Sequence, residues 1–171
     1  MKTLRAVLAL VLVGLTTAAV AQNDAQKSFD KMKTLVGTWE GRVTTVPPAP
    51  EMEGKLMQVT LRTTSMGNAL LHEMTGAGRP DDPITMFYLD NDRLMLTHYC
   101  DAGNRPRMVA KPSPDGKTVD FEFLDVVGNM DHGHMHHAAF TVIDANHHVE
   151  EWTYMAGDKP IHARFELQRT K

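Results

Sequence analysis

The chain predicts an all-β fold: an antiparallel meander of about ten strands, closed into a barrel and preceded by one short helix. Three observations carry that prediction. Past Gly37 the hydrophobic period becomes two and stays two as far as Arg169. The periodic runs are short, and they recur at 8–14-residue spacing. Gly, Pro, Asn and Asp separate them at nearly every junction. A long meander leaves two exposed edges, and closure removes both.

The first 21 residues, Met1 to Ala21, stand apart from that pattern. Lys2 and Arg5 give a positive start, Ala6 to Leu15 is nearly all apolar, and Ala19-Val20-Ala21 ends in small residues. This is the pattern of a cleaved secretory signal. Its apolar run is shorter than the roughly 20 residues that a membrane-crossing helix requires. Export to the periplasm or beyond the cell is expected, with no membrane span after cleavage. Residues 22–171 then form a single domain, long enough to bury about two-thirds of its unfolded surface.

Asn23 opens the helix, Gln26 completes a capping-box pattern, and Ala25, Phe29, Met32 and Val36 fall on one face. Gly37 ends it. Thr38 to Val46 is the first strand, stopped by Pro47-Pro48-Ala49-Pro50. Lys55 to Met66 sets Met57, Val59 and Leu61 against Gln58, Thr60 and Arg62, then turns at Gly67-Asn68 into Ala69 to Thr75. Gly76 to Pro83 is a loop. Ile84 to Leu89 and Arg93 to Cys100 form a hairpin about Asp90-Asn91-Asp92. Asn104 to Lys111 leads to Pro114-Asp115-Gly116, where proline presets one dihedral and glycine takes the positive one. Thr118 to Val126 alternates Val119, Phe121 and Phe123 with Asp120 and Glu122. His134 to Ile143, His147 to Met155 and Ile161 to Arg169 complete the set.

Composition excludes two classes. Without the leader the chain keeps 16 of its 18 basic residues and all 21 acidic ones, so no basic footprint for nucleic acid exists at the level of the domain. Cys100 is the single cysteine, which excludes a disulfide scaffold.

Leu35-Val36-Gly37-Thr38-Trp39-Glu40-Gly41 resembles the Gly-x-Trp signature of the calycins. In lipocalins and fatty-acid-binding proteins that tryptophan closes one end of the barrel beneath a basic residue of the last strand. The resemblance therefore implies structural roles for Gly37 and Trp39, with Arg164 or Arg169 as the partner. Nitrobindin-like haem barrels share the opening motif. The likeness is closer to lipocalin-like, uncharacterised bacterial exported proteins (DUF1579-like), on four segments. Beside Gly37-Thr38-Trp39-Glu40-Gly41 these are His98-Tyr99-Cys100, Asn104-Arg105-Pro106-Arg107-Met108 and Gly133-His134-Met135-His136. It implies a calycin-like barrel and supplies no activity.

Six of the nine histidines crowd into residues 132–148. Residues two apart on a strand share a face. His134 and His136 are therefore expected to point together, as are His98 and Cys100. Glu150, Trp152 and Tyr154 share one face of their strand and Glu151 lies on the other. One glutamate is carried inward and needs a partner, for which Arg107, His98 or a histidine of the preceding strand serves. Arg107 also suits a ligand carboxylate.

Two functions follow as expectations. The first is binding of a small, largely apolar ligand inside the barrel, lined by His98, Tyr99, Arg107, His134, His136, Glu151 and Trp152. The second is a zinc or copper centre on His98, Cys100, His134 and His136, with Glu151 assisting and hydrolysis by metal-bound water as one outcome. The chain has no phosphate-cradling glycine loop, zinc-protease helix or Gly-x-Ser-x-Gly elbow, so no catalytic residue is assigned.

Overall fold

The computed structural model describes residues 24–76, 82–111, 113 and 115–170. The leader, Asn23 and most of the Gly76–Pro83 loop lie outside the described residues. Helix α1 covers residues 24–33. Ten strands follow: β1 Gly37–Val46, β2 Leu56–Thr64, β3 Ala69–Gly76, β4 Ile84–Asp90 and β5 Arg93–Tyr99, then β6 Asn104–Lys111, β7 Thr118–Gly128, β8 His134–Val142, β9 His147–Ala156 and β10 Lys159–Arg169. Every consecutive pair is antiparallel, and β1 pairs with both β2 and β10, so the meander closes on itself. Among the described residues no helix is long and apolar enough to cross a membrane.

The period-two pattern becomes the barrel's inside and outside. On β2, Met57, Val59 and Leu61 are buried while Gln58 and Arg62 are exposed. On β7, Val119 and Phe121 are buried beside exposed Glu122. Phe87, Phe121 and Phe140 meet at ring distances of 5.3–6.0 Å and fill the middle. Such tilted and edge-on pairs are the favoured aromatic arrangements.

Helix α1 covers one end. Phe29 and Met32 are buried against this core, as the helical spacing requires. The helix ends at residue 33, three positions earlier than its apolar spacing predicts. A tight turn follows, with amide hydrogen bonds from Thr34, Leu35 and Val36 to carbonyls three residues back. That turn drops Leu35 into the core and leaves Val36 at the surface, the reverse of the helical reading. Gly37 opens β1 at a φ of +142°, a setting that suits glycine.

Trp39 is fully buried beneath the helix and donates its indole N–H to the Leu35 carbonyl at 2.8 Å. The guanidinium of Arg169 lies 3.9 Å from its ring centroid and donates to the carbonyls of Val36, Thr34 and Ala145. This corrects Arg164, which faces outward between Glu151 and Glu166. The cause is strand parity: on β10, Phe165 and Leu167 are buried, so Arg164 must point out, and Arg169 reaches the helix end at the strand's last residue.

Irregularities on both sides of β8 shape the opposite end. The β8–β9 register shifts between Met135 and His137, so His136 is an extra, bulged residue. The β7–β8 ladder runs only from Thr118/Thr141 to Glu122/His137, so the late part of β7 and the start of β8 separate.

Candidate functional site

The end of the barrel away from the helix holds a cavity of about 300 Å³, within the size range of small-molecule sites. Its wall comes from the far ends of the strands, for example Met57, Met74, Met135, Ile161, Ala163 and Phe165. These side chains are apolar. Deeper in, His72, His98 and Trp152 form the inner wall.

Behind that wall lies a buried charged cluster. Glu150 is fully buried and accepts from three donors. His72 Nε2 is 3.2 and 3.0 Å from its two oxygens, His148 Nε2 is 3.0 Å from Oε1, and Trp152 Nε1 donates to Oε2 at 3.1 Å. Burial alone raises a carboxyl pKa. Here the charge of His72 and the hydrogen bonds from His148 and His72 outweigh burial and hold Glu150 well below the usual carboxylate range. The ring of His148 also meets Trp39 edge-on at 4.2 Å, which ties the cluster to the helix end.

His98 is 5% exposed, with its Nδ1 2.8 Å from the Thr85 hydroxyl and its ring 5.5 Å from that of Trp152. Burial, and secondarily the neighbouring His72, push its pKa down to about 3, so its imidazole is neutral at pH 7. His72 and His98 face the cavity from β3 and β5, both opposite Thr85 of β4.

Of the ligand-facing set expected from sequence, His98 and Trp152 line the cavity. The other five do not. Tyr99 is 45% exposed, because His98 before it points in. Arg107 lies outside on β6, alternating with buried Pro106 and Met108, and makes a two-pronged ion pair with Asp125. Glu151 is also outside, 2.9 Å from Arg164, so Glu150 is the inward glutamate. Its partners are His72 of β3 and His148 of its own strand, rather than Arg107, His98 or a histidine of β8.

His134 and His136 do come together, with Nε2 of the first 3.1 Å from Nδ1 of the second. The bulge takes them off the cavity, however. Met135 becomes the inward residue of β8, while the two imidazoles pack on Phe123 where β7 and β8 separate. Cys100, half-buried, sits on the cavity wall just past β5. The four expected ligands are thus split between two places. Among the described residues no three His, Cys, Asp or Glu side chains converge as a metal-ligand set.

The sequence reading does not single out His72. Its signal is parity: Leu70, His72 and Met74 share a face, but Ala69 to His72 are all buried, which hides the alternation. Gly133, at a φ of +87°, passes so close to the Met155 carbonyl that a Cβ would strike it, which accounts for the glycine before His134.

The fold defines the class: a closed ten-stranded antiparallel barrel with one capping helix. No family model and no curated protein sequence matches the chain. It is similar in structure to Rv2717c from M. tuberculosis, at 14% identity and a TM-score of 0.57, over 84% of this chain and 98% of that one. It also matches a protein of unknown function of the DUF3598 family from Nostoc punctiforme, at 11% identity and a TM-score of 0.45. That match covers 81% of this chain and 48% of the other, so the chain spans about half its length. At these identities the likeness to Rv2717c shows the fold alone.

Proposed function

We propose that the protein binds a small, largely apolar molecule inside a calycin-like barrel of the lipocalin-like exported type. The observation that carries this reading is the cavity of about 300 Å³, walled largely by apolar side chains and ending on His72, His98 and Trp152. An apolar cavity with a few convergent polar groups is the usual form of a ligand site. The calycin reading is supported by Gly37-Thr38-Trp39 at the start of β1 and by Arg169 over the tryptophan.

The test is a neutral fluorescent probe, N-phenyl-1-naphthylamine. Its emission is expected to rise on addition to the wild type, and the rise to be lost in Ala163→Trp, which fills the cavity. Equal enhancement by both proteins would place the probe elsewhere and defeat the reading.

Export is part of the same proposal and rests on Met1 to Ala21. Produced full-length in a Gram-negative host, the protein is expected in the osmotic-shock fraction with Gln22 as its first residue. Recovery from the cytosol with Met1 retained would sink this part.

A further inference from the structure

The inner wall of the cavity also constrains what its occupant carries. His72 is 2% exposed, and its Nε2 is committed to Glu150, which is not part of the cavity wall. Its Nδ1, buried, has no hydrogen-bond partner. That nitrogen is the one polar atom His72 has to offer a ligand. His98 also lines the cavity, with its Nδ1 engaged by Thr85 and Nε2 as the ring's other nitrogen. A buried nitrogen without a partner, as His72 Nδ1 is, is costly unless something meets it.

Charge narrows the choice. The wall includes the carboxylates of Glu51 and Asp101 and, among the described residues, no lysine or arginine. Glu150 adds a carboxylate directly behind His72. Neutral His98 supplies no opposing charge. A ligand carboxylate would bring another anion into this low-dielectric site, where the charge of His72 is already paired with Glu150. An ammonium would have to leave water for an apolar cavity whose inner end presents imidazole nitrogens rather than a carboxylate oxygen. A hydroxyl avoids both penalties. It donates and accepts, so it satisfies an imidazole nitrogen whether or not that nitrogen carries a proton.

We propose that the cavity selects an uncharged apolar alcohol, whose hydroxyl is received by His72 Nδ1 with His98 Nε2 beside it, and discriminates against carboxylates of the same shape. This rests on the ligand-binding reading above, and the experiment separates the two. The probes are 1-octanol, octanoate and octylammonium, titrated calorimetrically into the wild type and Ala163→Trp at neutral pH. Octanol is expected to bind about tenfold or more tightly than either ion, the ratio that follows from one hydrogen bond gained against an unpaired buried charge. The filled variant is expected to bind none of them.

Octanoate or octylammonium binding as tightly as octanol would overturn the inference and leave the ligand-binding reading standing. Absence of heat with all three would overturn both. His72→Phe adds a second arm, with octanol weakened about tenfold while N-phenyl-1-naphthylamine still binds. The wild-type series decides the question even if that variant does not fold.

Discussion

Replacing Glu150 with alanine is expected to destabilise the protein by about 3–5 kcal/mol, the range for removing one partner of a buried ion pair. The variant would strand His72 Nε2, His148 Nε2 and Trp152 Nε1, each within 3.2 Å of the carboxylate and each drawn from the barrel's interior. Glutamine at the same position should cost less, about 1–3 kcal/mol. Its carbonyl oxygen can take the indole N–H. Its amide can donate to His72 or His148, because an imidazole exchanges donor for acceptor by moving its proton to Nδ1. Both Nδ1 atoms lack a partner and do not oppose that move. Urea unfolding followed by tryptophan fluorescence checks the order: wild type, then Glu150→Gln, then Glu150→Ala. Equal losses in the two variants would show that the imidazoles do not adapt. Losses below about 1 kcal/mol in both would show that the cluster is not structural.

The barrel was legible because strand parity is a local property. Met57, Val59 and Leu61 face inward three in a row, and no distant residue is needed to see it. The strand starts and stops were legible for the same reason, since Pro47-Pro48, Asn91 and Gly116 act on their own dihedrals. The site was legible only where parity stayed regular. His98 and Trp152 sit on unbroken strands and line the cavity. His134 lies just before a register shift and His136 is the extra residue within it, which turns a pair expected inside into a pair at the strand separation. The choice between Glu150 and Glu151 was a choice of phase. The deciding contact, His72 to Glu150, spans 78 residues of sequence, and no local pattern carries it. Arg164 and Arg169 differ in the same way: parity sends the first outward, and only the helix end shows where the second reaches.

Acid is expected to weaken the fold from pH 6.5 downward, before the carboxylates begin to titrate. His98 has a pKa of about 3 when folded, against an ordinary 6.5, because burial and the adjacent His72 penalise its protonated form. Above pH 6.5 both folded and unfolded chains hold this imidazole neutral, so it changes nothing. Below 6.5 the unfolded chain takes up a proton that the folded chain refuses, and stability falls by about 1.4 kcal/mol for each pH unit until pH reaches the folded value. Between pH 6.5 and 4.5 this one residue accounts for about 2–3 kcal/mol. Glu150 does not confuse the window. Its folded pKa is depressed below the ordinary 4.5, so its contribution is held throughout and is lost only in stronger acid. His134 shifts in the same direction as His98, through burial and then His136, and adds a smaller part to the slope. Urea titrations at pH 7.0, 5.5 and 4.5 on wild type and His98→Gln read the effect. The variant starts less stable, having lost the imidazole that Thr85 and Trp152 pack against, but its stability should fall with acid by about 2–3 kcal/mol less than that of the wild type. Parallel losses in the two proteins would show that His98 takes up its proton in the folded state, and that the inner wall of the cavity is open to water.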